Sequence, residues 1–179
     1  EVIEEESGQP FLLKVLKDPA ERAALIREAK ILSKLDHPGI VKLKSTALNH
    51  KPPYLVKEFI RGQTLRQLLD VNGRLPWRRV EVILEDLLQA LQYAHGKGFI
   101  HGNLNPNAIT LDAHGRAFLT SFQSQLSFAA TAQDNVELSL LEQEWGQKSA
   151  YKAPEFFKVT DVDVRCDLYS LGVLLFEML

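Results

Sequence analysis

Apolar residues along this chain recur with two different periods. From Phe11 to Leu16 a short apolar run contains Lys14. Alternation by two puts Leu12, Lys14 and Leu16 on one face of a strand. From Glu21 to Leu35 the spacing changes to three and four. Leu25, Ala29, Leu32 and Leu35 form a helical stripe, and Glu28 falls inside it. Asp36, His37, Pro38 and Gly39 then stop the helix. Strands are expected from Ile40 to Lys44 and from Tyr54 to Phe59, parted by Lys51-Pro52-Pro53. Arg61-Gly62-Gln63 breaks the pattern, and a short helix follows from Thr64 to Asp70.

The second half is mostly helical. From Val80 onward, Ile83, Leu84, Leu87, Leu88, Leu91 and Ala94 make a wide apolar face, with Gly96 and Gly98 as the stop. Phe99 to Asn107 is a loop dense in polar groups. Ile109 to Leu111 and Ala117 to Thr120 form a hairpin around Asp112-Ala113-His114-Gly115. Ser121 to Ala150 has little periodicity apart from Val136 to Leu141. Asp167 to Leu179 is expected to be a buried helix, and its uncapped apolar end reads as part of a longer protein. Strands with one helix, followed by helices with a small hairpin, predict an α+β fold in two lobes. Residues 1–59 would be a small β-rich lobe and 60–179 a mainly helical large lobe.

Composition narrows the function classes. Of 179 residues, 45% are apolar and 25% charged, which suits a globular core and excludes a disordered chain. The net charge of -2 argues against a basic nucleic-acid binder, so no nucleic-acid partner is expected. A lone cysteine, Cys166, rules out an internal disulfide and fits a reducing, cytoplasmic setting. It precedes the last helix, where a small buried residue fits best. No apolar run approaches the ~18–20 residues that span a bilayer, and the acidic start lacks the basic head of a signal peptide. His37, His50, His95 and His114 are too scattered for a metal site, and no metal is expected.

Lys14 and Glu28 both fall on apolar faces. A lone buried charge is costly, so the cheapest arrangement pairs them. The alternative is that Lys14 snorkels to water and Glu28 lies at the edge of its stripe.

The order of motifs resembles the eukaryotic-type (Ser/Thr) protein kinase family. Phe11-Leu12-Leu13-Lys14 is similar to the family's V-A-I-K strand, and Glu28 falls at its helix glutamate. Leu55-Val56-Lys57-Glu58-Phe59 resembles the strand that enters the hinge between lobes. His101-Gly102-Asn103-Leu104-Asn105-Pro106-Asn107-Ala108 lines up with the catalytic loop H-R-D-L-K-P-x-N. Thr120-Ser121-Phe122-Gln123 falls at D-F-G, and Ala153-Pro154-Glu155 is the A-P-E that closes the activation segment. Asp167-Leu168-Tyr169-Ser170-Leu171-Gly172 resembles the start of the central helix of the large lobe.

The departures from that pattern carry the functional expectation. The catalytic-loop aspartate, which accepts the substrate hydroxyl's proton, is Asn103, an amide that cannot take a proton at neutral pH. The loop's lysine is Asn105, and its metal-binding asparagine is Ala108. The D-F-G aspartate is Ser121 and its glycine is Gln123. Leu12 adds bulk where adenine would lie. Lys57 puts a cation at the back of the cleft, where Glu28 or another carboxylate must pair with it unless it reaches solvent. Gly8 is the sole glycine before Lys14, so the glycine-rich phosphate loop is either upstream of this segment or lost, and the resemblance implies a kinase-like domain truncated at both ends. The lead into A-P-E, Gln147-Lys148-Ser149-Ala150-Tyr151, is altered as well.

Packing positions persist where chemical ones do not. The resemblance implies that His101, Phe122 and Leu32 are rungs of an internal apolar spine, and that Asp167 anchors the His101 backbone. Trp145 and the Val136-Leu140-Leu141 cluster are core or docking surface. Together these imply a catalytically impaired, pseudokinase-like domain that binds other proteins or domains of a longer signalling chain. No catalytic residues are expected. Lys14, Glu28, Leu12, Lys57 and Glu58 outline a candidate nucleotide cleft that could take ATP without magnesium or nothing at all. The enzymatic alternative is a divergent Ser/Thr kinase with weak activity.

Overall fold

A computed structural model describes residues 2–3, 9–122, 150–157 and 162–179. Gly8, Gln123, the 136–141 cluster, Trp145 and residues 147–149 lie outside these. An antiparallel sheet has the order β1-β2-β4-β3, from β1 (Val2–Ile3), β2 (Pro10–Val15), β3 (Leu43–Ala47) and β4 (Tyr54–Glu58). A smaller antiparallel sheet has the order β5-β6-β7, from β5 (Gly62–Thr64), β6 (Ile109–Asp112) and β7 (Ala117–Leu119). The helices are α1 (Arg22–Leu32), α2 (Leu65–Asn72), α3 (Trp77–Gly96) and α4 (Arg165–Met178).

Local chemistry explains where the elements start. A 3-10 turn at Pro19–Glu21 leads into α1, and the Asp18 carboxylate accepts the Ala20 N–H at 2.9 Å. Thr64 and Gln67 form a capping box at the start of α2. The stripe read from α1 is the face that is buried: Leu25, Glu28, Ala29, Ile31 and Leu32 all point inward.

Three expectations need correction. The strand expected at Ile40 begins three residues later, at Leu43. Ile40 and Val41 are instead buried beside β7, with Val41 N–H donating to the Leu119 carbonyl and Leu119 N–H to that of Gly39. Ile40 thereby joins the largest apolar cluster instead of the first sheet. Gly62 and Gln63, expected as part of a break, begin β5, which pairs with β6. Gly62 makes this possible: a Cβ there would lie 1.8 Å from the Leu111 carbonyl oxygen. Finally, α3 and α4 are less enclosed than their sequences imply. Leu88 is exposed on α3, and Leu168, Tyr169 and Phe176 are exposed on α4.

The main core joins the end of α1, helices α2 to α4 and the β6–β7 hairpin, with Leu32, Leu87, Leu91, Phe122 and Leu174 among its members. A second cluster, Leu16, Leu25, Ala29 and Leu55, sits between α1 and the first sheet. Leu43 packs against both clusters. Cys166 belongs to a third, and burial pushes its thiol well above the usual range, helped by the nearby Asp167 carboxylate. Among the described residues, no helix is long and apolar enough to cross a membrane.

Candidate functional site

The sheet register determines how the candidate cleft is charged. β2 and β4 pair so that Leu12 faces Lys57 and Lys14 faces Leu55. Cross-strand partners share a face, as do residues two apart. Lys14 and Lys57 therefore emerge on the same face, diagonally across the strand pair. α1 packs over that face and delivers Glu28 between them. Lys14 Nζ donates to Glu28 Oε2 at 2.7 Å, and Lys57 Nζ donates to Oε1 at 2.8 Å. The expected Lys14–Glu28 pair is present, but it is one half of a three-residue cluster.

Burial divides the cluster unevenly. Glu28 is 1% exposed and Lys57 2%, so Lys57 does not reach solvent, whereas the Lys14 side chain is 38% exposed. Burial alone would raise the Glu28 pKa. The Lys57 and Lys14 ammoniums outweigh it and hold the carboxylate below its ordinary value. The carboxylate is thus ionised and both its oxygens are engaged. One anion faces two cations, leaving the cluster with an excess positive charge.

The other cleft candidates are placed differently. Leu12 is 37% exposed rather than buried, so it adds apolar surface to the cleft without filling the core. Glu58 turns away from Glu28. Its side chain accepts the Lys42 N–H at 3.3 Å, and its own N–H donates to the Lys42 carbonyl at 2.8 Å. A groove of about 230 Å³ lined by Leu16, Lys17, Pro19, Arg22 and residues 51–53 includes none of the cleft candidates.

The loop from His101 to Ala108 is organised by its own backbone. Asp167 is buried at the start of α4 and accepts the N–H groups of His101 (2.8 Å) and Gly102 (2.9 Å), and the Nε2–H of His95 (2.8 Å). Burial raises its pKa, but the His95 bond and the backbone donors overcome this and keep it below the ordinary aspartate value. The His101 ring packs on Phe122 with centroids 4.5 Å apart. Its Nε2–H donates to the Thr120 carbonyl, and its Nδ1 accepts the Asn103 N–H. Those partners fix one neutral tautomer. Burial depresses the pKa of this imidazole, although Asp167 and Thr120 pull the other way. His101 is a packed structural histidine, and Leu32 shares the Phe122 cluster, as the spine expectation requires.

Asn105 is drawn inward. Its amide N–H donates to the Asn103 carbonyl at 2.7 Å, and its amide oxygen accepts the Asn107 N–H at 3.0 Å. Both ends of the side chain are used within the loop. Asn103 is itself buried. Ala108 is buried too, and its carbonyl accepts both the N–H and the hydroxyl of Thr120. Ser121 has φ 59°, a left-handed conformation unusual for a residue with a side chain. The methyl group of Ala108 and the hydroxyl of Ser121 do not fit a magnesium ion. That ion takes carboxylate or phosphate oxygens in near-ideal octahedral geometry. Among the described residues, no group of three or more His, Cys, Asp or Glu gathers around a metal-sized space.

Some site residues were not singled out in the sequence. Lys152, two residues before Pro154, donates to the Gly102 carbonyl at 2.6 Å and lies over the Phe156 ring. Gly102 occupies the arginine position of the H-R-D pattern and has φ 69°, a conformation that favours glycine. Asp86 holds Arg116 and the Ala117 N–H, tying α3 to β7. Its signal was available: like Glu28, it is a charge on an apolar helical face, between Ile83 and Ala90. Lys152 has no such signal, since its segment is irregular.

Comparison with known proteins agrees with this architecture. A family model described as Protein kinase domain matches residues 1–179. The chain is 33% identical over 169 residues to a probable serine/threonine-protein kinase of Streptomyces coelicolor, covering 91% of this chain and 24% of that protein. It is 30% identical over 186 residues to the probable serine/threonine-protein kinase PknB of Bifidobacterium longum, covering 96% and 26%. Against the serine/threonine-protein kinase PknB of Mycolicibacterium smegmatis it is 30% identical over 167 residues, covering 91% and 26%. The chain belongs to the protein kinase domain family. It spans about a quarter of the length of these relatives.

Proposed function

We propose that this is a kinase-fold domain that does not transfer phosphate and serves as a signalling or regulatory binding module. Its partners would be other proteins or other domains of a longer chain. Residues 1–59 would form its small lobe and 60–179 its large-lobe portion. One observation carries the reading: the positions matching the family's base and metal ligands hold Asn103, Ala108 and Ser121. None of these is an anion. Loss of a positioned base alone lowers rate by about 10²- to 10⁴-fold. The inward bonds of Asn105 support the same reading, because they give that side chain a structural role.

The test is nucleotide binding and transfer in the full-length protein. A ligand at 100 times its dissociation constant stabilises by about 2.7 kcal/mol, a melting shift of several degrees. ATP with magnesium is expected to produce no such shift, and radiolabelled terminal phosphate is expected not to reach a generic protein acceptor. Transfer that Lys14→Ala abolishes would overturn the proposal in favour of a divergent Ser/Thr kinase. The names of the relatives favour that second reading. A shift with ATP alone, unchanged by magnesium, would leave a non-catalytic nucleotide site with Lys14 as the phosphate contact.

A further inference from the structure

In a working kinase the ion pair between the strand lysine and the helix glutamate must be in place, and helix position controls it. Here the glutamate has a second partner that such a switch does not need. Lys57 comes from β4, whereas Lys14 comes from β2, and they take opposite oxygens of Glu28. The two contacts are not equivalent. The Lys57–Glu28 pair is removed from water at both ends, while Lys14 keeps over a third of its side chain exposed. A buried pair is screened little by solvent or salt, and losing Lys57 leaves Glu28 with only the partly exposed Lys14 to offset its buried charge. A partly exposed pair contributes far less.

We infer that Lys57 is a positioning residue that locks α1 onto the first sheet without any ligand, and that Lys14 is dispensable for that lock. The helix–sheet contact is then a permanent feature of the domain. It also frees Lys14, since Glu28 stays compensated when Lys14 turns elsewhere. The lock stands whether or not the domain transfers phosphate, so phosphate-transfer assays and the following test fail independently.

Amide hydrogen exchange of residues 22–32 in the full-length protein reads the lock directly, with α3 as internal reference. Lys57→Met is expected to speed exchange across α1 by about tenfold or more relative to α3. Lys14→Met is expected to change it by less than about twofold. Equal effects, or a larger effect from Lys14→Met, would overturn the inference. So would a marked slowing of α1 exchange in the unsubstituted protein on adding ATP and magnesium, because a locked helix has little left to gain. If Lys57→Met does not fold, the double variant Lys57→Met/Glu28→Met decides. Recovery of a folded protein supports the lock, since both buried charges are then gone, and failure to recover overturns it.

Discussion

The Asp167 carboxylate accepts the backbone N–H of His101 at 2.8 Å, joining residues 66 positions apart in the chain. With Gly102 and His95 as further donors, this one buried side chain holds the polar loop against the start of α4. The loop from His101 to Ala108 is thereby anchored at its first two residues by a side chain from the far end of the described chain.

Replacing this carboxylate should therefore be among the most damaging single changes. Asp167→Ala leaves buried donors without an acceptor and is expected to destabilise by about 3–5 kcal/mol. Asp167→Asn retains one acceptor oxygen and should lose roughly half as much. Urea unfolding of both variants checks the ranking. Equal stability of Asp167→Ala and the parent would contradict the anchoring role.

The neutral, buried ring of His101 makes stability depend on pH. Its folded pKa lies below the ordinary 6.5, so the unfolded chain binds the proton first as pH falls. The contribution is complete above about pH 6.5 and declines below it until the depressed folded value is passed, by at most about 1.4 kcal/mol per pH unit. Asp167 and Glu28 are depressed from 3.8 and 4.5, so their contributions are lost only at lower pH. Unfolding free energies between pH 7.5 and 5.5 should fall with acidification, and His101→Gln should flatten that slope.

Gly62 tests the close approach of β5 to β6. A methyl group at this position meets the Leu111 backbone, which cannot swing aside as a side chain would. Gly62→Ala is expected to cost about 1–3 kcal/mol, the usual range for overpacking. Gly96→Ala is the control: a Cβ there meets nothing within 4 Å, and Gly96, the last residue of α3, has no positive φ, so its helical backbone favours alanine over glycine. Thermal melts of the two variants should move in opposite directions.

If the absent base and metal ligands explain the proposed loss of phosphoryl transfer, restoring them should restore metal dependence. The triple variant Asn103→Asp, Ala108→Asn, Ser121→Asp is expected to gain a melting shift with ATP that requires magnesium. Asn103→Asp alone is not, because it restores the base position and leaves the metal-ligand positions as Ala108 and Ser121. The measurement is the difference in melting temperature with and without magnesium at fixed nucleotide.

The family resemblance aligned His101 to Ala108. Periodicity and residue chemistry alone placed Glu28 in a helical stripe, with its burial set against a place at the stripe's edge, and found the strand carrying Lys14 and the polar loop from Phe99 to Asn107. These follow from local rules, since a 3.6-residue or two-residue period assigns each side chain to a face regardless of what covers it. They left open which carboxylate would receive Lys57, whether Leu12 would be buried, and that Gly62 would lie in a strand. Those outcomes depend on how β2 registers with β4, how α1 crosses them, and how closely β5 meets β6. They are contacts between segments far apart in the chain, so only the assembled fold could decide that one glutamate holds two lysines.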